Sequence, residues 1–352
     1  MKLVVFGLAV SSTWGNGHAA HWRGILRALA QLGHEVVFFE RDTPYHAEHR
    51  DLPEGEGYEI AIYPSWEAIL PRARAAVENA DVAIVTSYQA DAAAAIELVL
   101  GARSVRVFYD LDAPVTLDLL ARGVRVPYLP DSGLGGFDLV LSSAGGRTLD
   151  LLRDLGARSV APLYASVDEV THRCPPAEPS PDYECDLSYL GAYSVDRQAA
   201  VDRLLLDVAA QLPQHRFLLG GAMYPPQMKW PPNLRWFPQV PAPDHHAFYG
   251  SSRMTLNVTR QSMAALGHCP SARLFEAAVC GVPIVMDEWA GLDEFFEPGR
   301  EVVVARECHD VEAALSLPRC ELTAMAQRAR DRALGEHTAR HRARELLDLT
   351  KS

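Results

Sequence analysis

The chain has 352 residues, 48% hydrophobic and 22% charged, enough for two domains with separate cores and ordinary for a globular protein. Its 45 acidic against 33 basic side chains leave a net charge of −12. That balance argues against nucleic acid or an anionic membrane as the main partner, although a few local arginines can still hold one diphosphate.

The first strand is expected over residues 2–7, an apolar run too short for a signal segment. A long loop follows from Leu8 to Gly15, Asn16, Gly17 and His18, and then a helix over 18–32. Gly15, Gly17 and Ala20 match the letters of a GxGxxA dinucleotide fingerprint. Glu40, closing a second strand over 35–40, stands where a ribose-binding acid would. That fingerprint needs its first glycine at the strand end, and here the strand stops about eight residues earlier. Gly15, Asn16 and Gly17 are therefore expected to contact a sugar or acceptor, with His18 as a polar handle at the helix start. A nicotinamide-dependent oxidoreductase is kept as the alternative.

Strands over 81–86, 104–109, 137–141 and 159–163 alternate with helices over 67–79 and 146–155. Their nearly continuous apolar runs imply a parallel sheet covered on both faces. Asp110 and Asp112 directly follow one strand. Such a DxD pair can hold a divalent metal on a nucleotide diphosphate. Helix ends and arginines elsewhere can already supply that charge, so no metal is expected. Asp110 is read as a partner or general base for an acceptor hydroxyl, and Asp112 as a sugar contact or the cap of a helix starting near Pro114.

Residues 171–186 contain four prolines and read as a linker between domains 1–170 and 187–335. Strands are expected over 187–190, 216–219, 234–237, 255–258, 284–286 and 302–305, with a helix over 197–212. Residues 336–352 close the chain with an amphipathic helix over 339–349. The fold class is thus α/β, with two Rossmann-like, doubly wound parallel sheets and a ligand cleft at the carboxyl ends of their strands.

Three segments of the second half could bind a phosphate. One is Gly191, where a strand ends, with Arg197 in the next helix. Another is Arg260, just after the 255–258 strand. The third reads as a helix with Ser271 as N-cap, Gly281 past its end and Pro283 beyond. Leu274, Phe275, Ala277, Ala278 and Val279 cover almost its whole circumference, so Arg273 and Glu276 are costly there unless paired or used. Either they form an i,i+3 ion pair, or an anion binds the helix N-terminus while Glu276, one turn deeper, accepts ribose hydroxyls. The second reading is preferred.

The six cysteines show no CxxC pairing, which points to free thiols in the cytoplasm. Among 13 histidines, His245 with His246, and His337 with His341, lack a nearby carboxylate or third ligand in the sequence. Surface or packing roles are expected for them rather than zinc. No stretch approaches the roughly 18 apolar residues of a membrane span.

Taken together, the segments 109–114, 186–191 with Arg197, 255–260 and 271–283 resemble the CgeB-like glycosyltransferases, a branch of the GT-B superfamily. The resemblance implies a metal-independent hexosyltransferase without a cofactor. Its UDP- or dTDP-sugar donor would bind mainly the C-terminal domain, and an unidentified small-molecule, glycan or protein acceptor the N-terminal one. It also implies that Glu276 contacts the ribose, that backbone near Gln239 and Val240 holds the base, and that the last helix returns to the first domain. The chain departs from related retaining enzymes at one place: their E-x7-E pattern has a second glutamate where this chain has His268, so the contact to the donor sugar is altered. On this reading Arg197, Arg273 and Arg260 stabilise the leaving nucleoside diphosphate, and Asp110 or His18 orients the acceptor. A non-catalytic sugar-nucleotide-binding protein is the further alternative.

Overall fold

The computed structural model describes residues 1–172 and 180–351; Cys174 and much of the expected 171–186 linker lie outside the described residues. The chain forms two compact units, residues 1–168 with 339–352, and residues 169–338.

The first unit holds strands β1 (Lys2–Gly7), β2 (Glu35–Arg41), β3 (Glu59–Tyr63), β4 (Val82–Thr86), β5 (Val105–Asp110), β6 (Leu139–Ser142) and β7 (Val160–Pro162). They pair in parallel in the order β3-β2-β1-β4-β5-β6-β7. The chain starts mid-sheet, winds outward through β2 and β3, then returns to place β4 beside β1. Connections reverse direction there, so the loops after β1 and β4 part and leave a crevice at the strand ends. Phe6, Phe39, Val85 and Phe108 pack on one face of the sheet. Val5, Phe38, Ile84 and Val107 pack on the other, under Trp22, Ile25 and Leu29 of the Gly17–Gln31 helix. Ala343, Leu346 and Leu347 of the final Ala339–Leu349 helix complete that face. The two helices meet closely at Gly24, where a Cβ would come within 2.8 Å of that of Ala339.

Strand β3 was not among the expected strands. It is a five-residue edge strand in which only Ala61 and Tyr63 are buried, Ile60 and Ile62 being part-buried and Glu59 exposed, whereas the buried strands announce themselves by continuous apolar runs.

The second unit repeats the design with β8 (Cys185–Leu190), β9 (Phe217–Gly220), β10 (Leu234–Phe237), β11 (Ser252–Asn257), β12 (Ile284–Met286) and β13 (Val303–Val304), ordered β10-β9-β8-β11-β12-β13 and again parallel. Its direction reverses between β8 and β11. The expected 197–212 helix runs over 195–211 and contains a π-helical turn at Asp202–Leu206. Helices Cys308–Leu315 and Arg319–Glu336 were not expected. The buried stripe of the longer one is Leu322, Met325, Ala326, Ala329 and Ala333. Alanine gives little hydrophobic contrast, so the helical period is faint. This helix packs along Ala272–Val279.

Among the described residues no helix is long and apolar enough to cross a membrane, and Cys185, Cys308 and Cys320 are free thiols.

Candidate functional site

In the second unit the reversal point is occupied by arginines. Arg273 lies in the first turn of Ala272–Val279. Its Nη1 donates to the Leu190 carbonyl at 2.6 Å and its Nη2 to the Val258 carbonyl at 3.4 Å, so one guanidinium spans the ends of β8 and β11. It lies 5.8 Å from the ring centre of Tyr189, and the Arg197 guanidinium lies 6.0 Å from the same ring. Arg197 also donates to the Ala192 carbonyl at 2.5 Å. Burial, and next the positive charge of Arg273, depress the pKa of Arg197. Among the described residues neither guanidinium is paired with a carboxylate. Two part-buried cations close to one another and without a carboxylate partner repel each other and favour an incoming anion. Arg260 sits at the start of the next helix with its Nε 3.5 Å from Asp196 Oδ2. Asp196 also accepts from the Ser262 N–H at 3.3 Å and hydroxyl at 2.7 Å, so the Arg260 charge, unlike those of Arg197 and Arg273, has a carboxylate beside it.

Gly191 has a steric reason to be glycine. A Cβ there would stand 2.6 Å from the Tyr189 hydroxyl and 2.9 Å from Arg273 Nη1. The missing side chain makes room for both the tyrosine hydroxyl and the arginine.

Ser271 occupies the N-cap position with extended backbone, but its hydroxyl makes no capping bond. It faces the Asn257 side chain instead, with contacts of 3.1 and 3.3 Å. Ser271 is thus the N-cap by position, as expected, but not through its side chain: Asn257, at the end of β11, takes the hydroxyl, and the Leu274 N–H donates to the Ser271 carbonyl at 3.1 Å.

Glu276 is buried. Among the described residues it forms no ion pair with Arg273, which instead donates one bond each from Nη1 and Nη2 to strand carbonyls and keeps further N–H donors, so the i,i+3 alternative does not form. Its neighbour is His245, with Nδ1 at 3.8 Å from Oε2. The other ring nitrogen of His245 contacts the carbonyl of buried Val240 at 3.3 Å. Val240 and Glu276, both expected at the donor site, are thus linked through a histidine. Burial lowers the His245 pKa, and the Glu276 carboxylate opposes the shift. His172 completes the group, each of the three residues offering one polar atom within 4.8 Å of the others. The expectation that His245 has no nearby carboxylate or third partner is overturned. Both partners are remote in sequence, and spacing carries no trace of them.

His268 adopts a left-handed backbone, φ +46°. Its N–H donates to the Ala290 carbonyl at 2.7 Å, and its ring Nδ1 lies 3.1 Å from Glu294. Gly291 passes directly beneath, where a Cβ would fall 2.2 Å from that nitrogen. A non-glycine residue held in this conformation by its surroundings marks a position under functional constraint more often than chance.

In the first unit the loops after β1, β4 and β5 bring His18, Tyr88 and Asp112 together. His18 Nε2 lies 3.6 Å from Asp112 Oδ2, and its ring centre is 5.5 Å from that of Tyr88. Tyr88, missed in the sequence, also has a left-handed backbone, φ +62°. Asp112 stands at an N-cap but makes no capping bond, so the cap role is corrected: its carboxylate faces His18. Asp110, by contrast, is completely buried. It accepts the Asp112 N–H at 3.0 Å, and burial pushes its pKa up to about 6. In this conformation it offers no surface to an acceptor.

Asn16 is a fastener. Its side chain accepts from Ala19 N–H and donates to the Ala9 and Ser12 carbonyls, all at 3.3 Å. Gly15 turns with φ +59°, a conformation glycine adopts freely, and a Cβ there would meet the Tyr45 hydroxyl at 2.8 Å. Gly17 has open space around it. Glu40 is buried and accepts from the Val10 and Ser11 N–H groups at 2.7 and 2.9 Å, as well as from the Ser11 hydroxyl. It anchors the long loop, and the nicotinamide alternative loses its ribose acid.

Residues 197–348 match a family model described as glycosyl transferase-like, a stretch that includes Arg197, Arg260, Arg273 and Glu276. No curated protein matches the chain. Among solved structures it is similar to sucrose-phosphate synthase from Thermosynechococcus elongatus, at 13% identity and a TM-score of 0.71, over 100% of this chain and 98% of that one. An alpha-glucosyltransferase in complex with UDP matches over 100% of both chains, at 11% identity and a TM-score of 0.71. HepE from Anabaena, in complex with UDP-glucose, matches over 99% of this chain and 98% of its own, at 12% identity and a TM-score of 0.67. Residues 197–348 therefore carry the pattern of glycosyl transferase-like sequences, and the chain as a whole has the GT-B fold of two parallel-sheet α/β domains.

Proposed function

We propose that this protein is a CgeB-like hexosyltransferase that moves a sugar from a nucleoside-diphosphate sugar, a UDP-sugar foremost, to an acceptor hydroxyl without a catalytic metal. One observation carries the reading: Arg197 and Arg273 form a part-buried pair of cations beside Tyr189 at the reversal point of the second sheet, with Glu276 one turn deeper on the Arg273 helix. Such a pair needs an anion, and a diphosphate supplies one. Preorganised positive charge at the departing diphosphate lowers the barrier without a metal. The carboxylate of Glu276 accepts the ribose hydroxyls. Two of the similar structures hold UDP or UDP-glucose, which favours uracil over other bases.

In the first unit His18, oriented by Asp112, receives the acceptor hydroxyl. Asp110 holds the backbone of Asp112 and acts through it. His268, in place of the usual glutamate, faces the donor sugar. The free thiols of Cys185, Cys308 and Cys320 suit a cytoplasmic enzyme.

The test is to incubate the protein with UDP-, dTDP- and GDP-hexoses and a panel of acceptors, with and without a chelator. Release of UDP that persists in chelator is expected. Binding of a UDP-sugar with neither transfer nor hydrolysis would leave a sugar-nucleotide-binding protein, and failure to bind any nucleoside diphosphate would refute the donor site.

A further inference from the structure

The cluster of His172, His245 and Glu276 has a donor geometry that the transfer reaction does not require. His172 opens the second unit, His245 begins the helix after β10, and Glu276 lies on the Ala272–Val279 helix. His172 and Glu276 are buried, and the His245 side chain is 19% exposed. The Val240 carbonyl can only accept, so the His245 nitrogen 3.3 Å away, Nε2, carries the proton. The lone pair of Nδ1 is then turned toward the Glu276 carboxylate at 3.8 Å, an unfavourable opposition that a cation between them reverses. An imidazole whose second nitrogen donates to a carbonyl is also the usual arrangement of a metal-binding histidine.

We propose that His172, His245 and Glu276 form a Zn2+ site with one coordination position open, which competes with the donor ribose for Glu276. Tetrahedral zinc at about 2.0–2.1 Å from each ligand sets neighbouring ligand atoms about 3.3 Å apart. The observed 3.8 Å between His245 and Glu276 needs an adjustment of about half an ångström, and since all three ligand atoms lie within 4.8 Å of one another, none needs more than about 1.5 Å. Two imidazoles and one carboxylate select zinc over magnesium or calcium, which prefer all-oxygen sites. The competition, but not the site itself, rests on the ribose role proposed for Glu276.

The experiment titrates the chelator-stripped, full-length protein with Zn2+ alone by equilibrium dialysis, and with Co2+ by visible absorption. One Zn2+ per chain and the absorption of tetrahedral Co2+ are expected. His172→Ala, His245→Ala and Glu276→Gln should each weaken Zn2+ about tenfold or more, and UDP should weaken it in the wild type. Absence of saturable binding, or affinity unchanged in both histidine variants, overturns the site. Where a variant does not fold, the wild-type Co2+ spectrum decides, and the lack of a tetrahedral band overturns it. Zn2+ binding that UDP leaves unaffected keeps the site and overturns its competition with the ribose.

Discussion

Replacing Glu276 by glutamine keeps the length of a buried side chain and removes its charge. A carboxylate can accept from both hydroxyls of a ribose. The amide offers one oxygen and turns an NH2 group toward the other hydroxyl. One charge-assisted hydrogen bond is lost, worth about 1.5–3 kcal/mol, which raises the dissociation constant for UDP roughly 10- to 150-fold. Because the two side chains are nearly isosteric, the thermal transition should move little. Titration calorimetry with UDP and with its 2′-deoxy analogue measures the effect directly. In the wild type the missing hydroxyl should cost affinity, whereas in Glu276→Gln it should cost much less, since the partner has already gone. The two penalties are then not additive. Full additivity, or wild-type affinity for UDP in the variant, would refute the role assigned to this carboxylate.

Gly191→Ala forces a methyl to within 2.9 Å of Arg273 Nη1; the guanidinium must swing away, and UDP affinity should fall by about tenfold (about 1.4 kcal/mol) with the fold retained. An unchanged affinity in calorimetry would show that Arg273 does not meet the phosphates. His18→Ala should lower the turnover rate about 10²- to 10⁴-fold if it serves as the acid–base group, with UDP binding unaltered; a normal turnover rate argues against it. Asp110 titrates near 6 in the folded chain, above its ordinary value of 3.8, so the native state holds the extra proton between these values. Its contribution to stability is therefore fully present below about pH 4 and is lost as pH rises toward about 6. Asp110→Asn should flatten that part of the curve of denaturation midpoint against pH, and identical curves for the two proteins would contradict the burial argument.

What local pattern could reveal was the repeating strand–helix rhythm, because strands buried on both faces must be continuously apolar. That rhythm implied two parallel α/β domains and located most of their strands. The Ser271–Pro283 stretch was legible for the same reason: two charges among residues that had to be buried stood out as costly. An edge strand such as β3 and the alanine-lined Arg319–Glu336 helix escaped, since their burial is partial or small in volume.

Side-chain partners were decided by the fold. Whether Arg273 reached Glu276 or the ends of β8 and β11 depended on strand order, which local spacing does not encode. Burial of Asp110, anchoring of the loop by Glu40 and the left-handed backbones of Tyr88 and His268 likewise follow from neighbours distant in the chain. The approach of His172 and His245 to Glu276 belongs to the same class. Hydrophobic burial acts through composition and period, so sequence displays it. Electrostatic and hydrogen-bond pairing acts over a few ångströms and comes into being when the chain has closed.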